Sequence, residues 1–299
     1  MTTAKHLHLL FDEPIMEITE LDPGYSDHAS DVWLVKTVTH ERVVRASRWH
    51  HEPDHEFWLG CRELFGIDPR FMIYFHRNTQ ILNTIPDIPA PHVFDIRELD
   101  GRETIIVESM QGEVLRDFIH QPESLLYSFG VWLAKVHLIQ YDWYGNAAET
   151  KCEAKGRFHQ DLARTMRLLV NKDYQANDAI SDRLDEMVAK VAALPIPEHF
   201  CPILVDLDPS QFLQHHGQIR AIVDTEAYVI APREFDFISL EYVLDLESSR
   251  HVIAGYTSLL EMPDLSLYRE VYRYFYRLLG VQGQVELEQW MAQQSYFNG

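Results

Sequence analysis

A chain of 299 residues with 46% hydrophobic content is long enough for two lobes, each with its own core. Its formal charge of −20 argues against nucleic acid or an anionic membrane as partner, while remaining compatible with a cationic substrate. No run approaches the roughly 20 apolar residues of a membrane span, and "MTTAKHLHLLFDEPIME" places acids directly after a short apolar run, unlike a signal peptide. Cys61, Cys152 and Cys201 are odd in number and far apart, so they read as buried inert thiols in a reducing cytoplasm.

In chain order, "DVWLVKT" and "ERVVRAS" are Val-rich and partly alternating, and a turn at His40-Glu41 makes them a hairpin. "TQILNTIPDIPAPHVFDIRELDGRETIIVESM" gives a helix end, a proline-punctuated connection, and two strands around a "DG" turn. From Leu115 onward helices dominate. Leu125, Phe129, Trp132, Leu133 and Val136 recur at helical spacing, as do Leu162, Met166 and Leu169. Ile180, Leu184, Val188 and Val191 mark a third helix, ended by "LPIPEH". After Asp236 the chain reads as helical, broken at "EMPD" and "GVQGQ". A strand-rich region followed by a helix-rich one indicates an α+β fold, with lobes expected at 1–109 and 110–299.

The only strands expected in the helical half lie in "ILVDLDPSQFLQHHGQIRAIVDTE", where two apolar runs end on Asp206 and Asp224. The "QHHGQ" turn is expected to fold these runs together, bringing Asp206, Gln211 and Asp224 to one cleft. Oxygen donors of this kind suit Mg²⁺, a hard cation usually held by one or two carboxylates together with substrate phosphates. Phosphoryl transfer from ATP uses such a set: one Asp orients the attacking hydroxyl, while an amide and a second Asp hold the metal.

With these residues in place, the chain resembles the aminoglycoside phosphotransferase and choline kinase-like family. "LVDLDPSQ" is similar to its H-G-D-x-x-x-x-N loop, "AIVDTEAY" to its metal-binding segment, and "PREFDFISLEY" to the following Asp-containing helix. "IIVESMQGEVL" looks like its hinge, "FGVWLAKVH" its L-A-x-L-H helix, and "RVVRA" its strand bearing a phosphate-binding cation. The resemblance spans roughly residues 20–260. It implies a bilobal protein-kinase-like fold, with an N-terminal antiparallel sheet lobe and a larger helical C-terminal lobe. It implies ATP and Mg²⁺ as cofactors and a small-molecule hydroxyl as acceptor. Asp206 would be the base, Gln211 and Asp224 the metal ligands, Arg45 the phosphate clamp and Ser30 a further phosphate contact. Hinge backbone at Glu108 and Met110 would receive adenine. His137 and Asp236 read as structural, a core histidine and a helix cap with loop anchor, and His215 and His216 as a solvated tip. Glu226 is a lesser candidate for the metal or a cationic substrate.

Departures accompany the resemblance. Leu204-Val205 replaces His-Gly, Gln211 replaces Asn, and Asn78 stands where the family places the acid that pairs with the strand cation; Glu63 is one substitute. The phosphate-covering loop, "DPGYSDHASDVWLV", holds one glycine, Gly24. These departures raise a second reading, a nucleotide-binding pseudokinase without turnover. The acceptor would sit against helices spanning 158–193, where Asp161, Asp173, Asp178, Asp182, Asp185 and Glu186 are either ligands or a solvated face.

Overall fold

The computed structural model describes residues 4–21 and 29–297. The N-terminal lobe is a five-stranded antiparallel sheet built from β1 (Ile15–Glu20), β2 (Ser30–Thr37), β3 (Glu41–Ser47), β4 (Val93–Leu99) and β5 (Arg102–Glu108). Its spatial order is β1-β2-β3-β5-β4. Lys36 pairs with Glu41, and the Thr37 N–H donates to the His40 carbonyl, so the first turn lies just before the expected His40-Glu41 step. The "DG" turn is as expected: Leu99 pairs with Arg102, and Asp100 and Gly101 take φ of 53° and 73°. One sheet face buries Trp33, Val35, Val44, Ala46, Leu99 and Ile106 with Leu7 and Leu10. The other sets Ile105 and Val107 against Met72 and Phe75, which belong to the start of α2 (Ile73–Leu82).

Helix α1 (Glu56–Phe65) does not serve the sheet. Its Trp58, Leu59, Cys61, Leu64 and Phe65 enter the large core of the C-terminal lobe. That core therefore crosses the expected 109/110 boundary.

The C-terminal lobe contains α3 (Glu123–His137), α4 (Phe158–Leu169), α5 (Asp178–Ser181), α6 (Leu184–Ala193), α7 (Glu234–Leu240), α8 (Leu246–Thr257), α9 (Arg269–Leu279) and α10 (Leu287–Met291). The expected third helix is two: α5 ends at Ser181, and α6 restarts behind Arg183. Helices α3 and α8 meet at glycines. A Cβ on Gly130 would lie 2.1 Å from the Val252 carbonyl oxygen, and one on Gly255 would lie 2.0 Å from that of Tyr127.

The strand expectation for this lobe needs correction. Besides β9 (Phe200–Leu204), β10 (Phe212–His215) and β11 (Gln218–Ile222), it holds β6 (Glu113–Val114), β7 (Trp143–Gly145), β8 (Cys152–Ala154) and β12 (Tyr228–Pro232). The two apolar runs do not pair with each other. The first, in β9, pairs with β12, whereas the hairpin around His216-Gly217 joins β10 to β11. Strands β9 and β12 are buried at every residue and so carry no alternation, and Pro202 and Pro232 read as breakers. Among the described residues, no helix is long and apolar enough to cross a membrane. Cys61 and Cys201 are buried as expected, but Cys152 is exposed.

Candidate active site

The chain leaves β9 at Leu204 and turns through Asp206 into a single 3-10 turn, Pro209–Gln211. The turn's entrance is fixed from below. The Leu204 N–H donates to Asp236 Oδ1 at 2.9 Å, and Asp236 Oδ2 lies 3.0 Å from His137 Nε2. His137 Nδ1 lies 3.0 Å from the Tyr256 hydroxyl, which accepts from Arg233 at 3.1 Å. Burial lowers the His137 pKa and favours the neutral ring. Its Nε2–H then donates to Asp236, and Nδ1 accepts from Tyr256. His137 and Asp236 are thus structural, as read from sequence. Asp236 is the third residue of α7, behind Arg233 at the cap position, and not itself a cap.

Asp206 is partly exposed, and its carboxylate has no hydrogen-bond partner among the described residues. Burial of the carboxyl, with Asp208 and Asp224 close by, pushes its pKa up to about 7. Such a group is poised for proton transfer near neutral pH.

Gln211 is held in a capping box with Asp208. Its Oε1 accepts the Asp208 N–H at 2.9 Å, and its Nε2 donates to the Asp206 carbonyl. The Gln211 carbonyl accepts the Val223 N–H at 2.8 Å, which ties this loop to the segment carrying Asp224. "DPSQ" is a capping-box pattern, so Asp208, missed as a loop former, was detectable.

Arg45 projects from β3 into that second segment. Its guanidinium donates to the Val223 carbonyl at 2.9 Å, to Asp224 Oδ1 at 3.2 Å and to Glu226 Oε2 at 3.0 Å. The Phe75 ring centroid lies 5.0 Å from it. The Ser30 hydroxyl donates to Glu226 Oε1 at 2.7 Å. Burial alone disfavours the charged guanidinium, but Glu226 and Asp224 outweigh it and raise its pKa. Burial also pushes the Glu226 carboxyl upward, against the pull of Arg45 and with the push of Asp224. Glu63 is not the partner of Arg45: it sits on α1, and its carbonyl accepts from Lys151. Asn78 instead donates to the Thr225 carbonyl at 2.7 Å and the Tyr228 carbonyl at 3.1 Å, on either side of Glu226. Asp224 and Glu226 lie in the connection between β11 and β12, Glu226 at the start of a turn, and both carboxylates reach the same guanidinium, which brings Glu226, a lesser candidate from sequence, to Arg45.

Where adenine is expected, the Glu108 N–H is taken by the His92 carbonyl. Met110 is half-buried, with no backbone partner among the described residues. Gly24 and half of the expected phosphate-covering loop, residues 22–28, lie outside the described residues. The His215 and His216 rings lie against each other at the hairpin tip, 3.9 Å between centroids, with their planes tilted by 53°. The acids of 158–193 separate. Asp161 is buried and accepts from the Tyr144 hydroxyl, Glu186 pairs with Lys190, and Asp173, Asp178, Asp182 and Asp185 are exposed.

The donor set fits Mg²⁺. Among the described residues no three His, Cys, Asp or Glu side chains form a preformed cage. Mg²⁺ commonly needs only one or two carboxylates beside phosphates and water. Asp224 is 36% exposed at its side chain, so it can offer oxygen to the cleft. Gln211 Oε1 has used one of two lone pairs.

The model of the phosphotransferase enzyme family matches residues 26–271. No curated protein matches significantly. Among solved structures, the chain is similar to an aminoglycoside phosphotransferase, APH(4)-Ia, in complex with AMP-PNP and hygromycin B: TM-score 0.63, 14% identity, 94% of this chain and 90% of that one. It is similar to a fructosamine-3-kinase homologue from Haemophilus somnus 129PT, with TM-score 0.60, 15% identity, and 98% and 91% covered. A macrolide 2'-phosphotransferase from Brachybacterium faecium gives TM-score 0.57, 14% identity, and 96% and 95% covered. At these identities the likeness shows the kinase-like fold.

Proposed function

Because the chain belongs to the phosphotransferase enzyme family, we propose that it moves the γ-phosphate of ATP to a hydroxyl of a small cationic molecule, such as an amino sugar or amino alcohol. The observation that carries this reading is Asp206, a carboxylate without a hydrogen-bond partner among the described residues, at the mouth of β9 beside the Asp224 segment. Asp206 accepts the proton of the acceptor hydroxyl as that oxygen attacks phosphorus. Arg45 neutralises charge on the transferring phosphate. The Glu108 carbonyl and Met110 N–H receive the adenine edge. Asp224, with Gln211 as second donor, would hold Mg²⁺, whose chemistry is to bridge the phosphates and offset their charge. A cationic acceptor is supported by the net charge of −20 and by the hygromycin B bound in one structural neighbour.

The test is product detection by mass with ATP and Mg²⁺ against amino sugars, amino alcohols and neutral sugars. Phosphorylation of an amine-bearing acceptor, lost in Asp206→Asn, is the expected result. Transfer that survives in Asp206→Asn, or none to any acceptor, would sink the reading.

A further inference from the structure

We infer that Glu226 is the positioning residue for Arg45, and that the metal-binding segment, not helix α2, supplies the acid that aims the phosphate-binding cation. This rests on the reading of Arg45 as phosphate clamp. Three observations converge on it. Helix α2 presents Asn78 instead of an acid, and that amide is spent on the Thr225 and Tyr228 carbonyls. Glu226 is 12% exposed at its side chain, and both its oxygens are engaged, one by Arg45 and one by Ser30. Arg45 is 9% exposed at its side chain, lies near the Phe75 ring, and among the described residues draws its carboxylates from this segment alone. A buried forked cation needs such a partner, because an unpaired charge there is costly and a free guanidinium loses its direction.

The arrangement makes one short connection, between β11 and β12, serve two tasks. Asp224 and Glu226 share a guanidinium, so metal and phosphate cation are set by the same backbone, which the Asn78 amide holds.

A double-mutant cycle separates this from the rival role of Glu226 as a metal ligand. Parent, Glu226→Gln, Arg45→Met and the double variant are titrated with ATP in EDTA and in Mg²⁺. Loss of an orienting partner is expected to weaken ATP binding by about 10–100-fold in both media. The double variant should lose no more than Arg45→Met alone, because Glu226 acts only through Arg45. Losses that multiply, or a defect confined to Mg²⁺ and restored by excess metal, overturn the inference. Should the parent bind no ATP in either medium, the nucleotide reading fails separately. The same four proteins are then compared by urea unfolding. Coupling between the two sites supports the positioning role, and simple additivity overturns it.

Discussion

Asp206 has no side-chain hydrogen-bond partner among the described residues and a pKa raised by its surroundings, so its ionisation is the property to measure. Asp206→Asn should lower turnover by about 10²–10⁴-fold while ATP binding is kept. In the parent, kcat/KM, which reports the free enzyme, should rise with pH as the carboxylate ionises near about 7. The corresponding rise in kcat should fall at lower pH, because a bound cation favours the anion. A flat acid side in both profiles would remove Asp206 from the proton path. At this scale the sequence was informative where a carboxylate ended an apolar run, since burying one is costly without purpose. It was less so for Arg45, whose partners lie 179 and 181 residues away in the chain. It also left open whether Gln211 faces metal or backbone, a choice that depends on loop geometry.

Two elements carry their own expectations. The α3–α8 crossing has no room for a methyl group at Gly130 or Gly255, because carbonyl oxygens of the facing helix occupy the space. Gly130→Ala and Gly255→Ala should each cost about 1–3 kcal/mol or more in urea unfolding; an unchanged midpoint would mean the helices separate freely. Helix α7 opens on Glu234, 5% exposed, with Oε2 lacking a partner among the described residues. Burial pushes its carboxyl from 4.5 up to about 7. The folded chain therefore holds a proton that the unfolded chain releases above 4.5, and stability is lost as pH rises toward about 7. Glu234→Gln should lack this slope, gaining on the parent by on the order of 3 kcal/mol between about pH 4.5 and pH 8. A gap that stays constant with pH would show Glu234 ionised throughout. The amphipathic helices α3 and α4 were legible because one side of each meets water. Strands β9 and β12 were not paired correctly because a strand buried on both faces loses its period.

At the scale of the molecule, the order of strands then helices led to the bilobal fold, and the family match agrees with it. ATP with Mg²⁺ should raise the melting temperature more than ATP with EDTA, by linkage of binding to folding, at about 2.7 kcal/mol for ligand at 100-fold its Kd. Asp224→Ala should erase the difference between the two media. Equal shifts in the parent would count against a metal-assisted nucleotide site. What composition and periodicity could not reveal was the route of α1, since a helix with an apolar side does not say which lobe it faces. That route has a consequence for dissecting the chain. A fragment starting at residue 110 would contain the Asp206 loop, the Asp224 segment and most of the helices, yet carry an open socket where Trp58, Leu64 and Phe65 now sit. Its counterpart, ending at 109, would expose those same rings on a helix with nothing beneath it. The 109/110 boundary is therefore no seam for cutting, and two such halves would find a folded form only in each other's company.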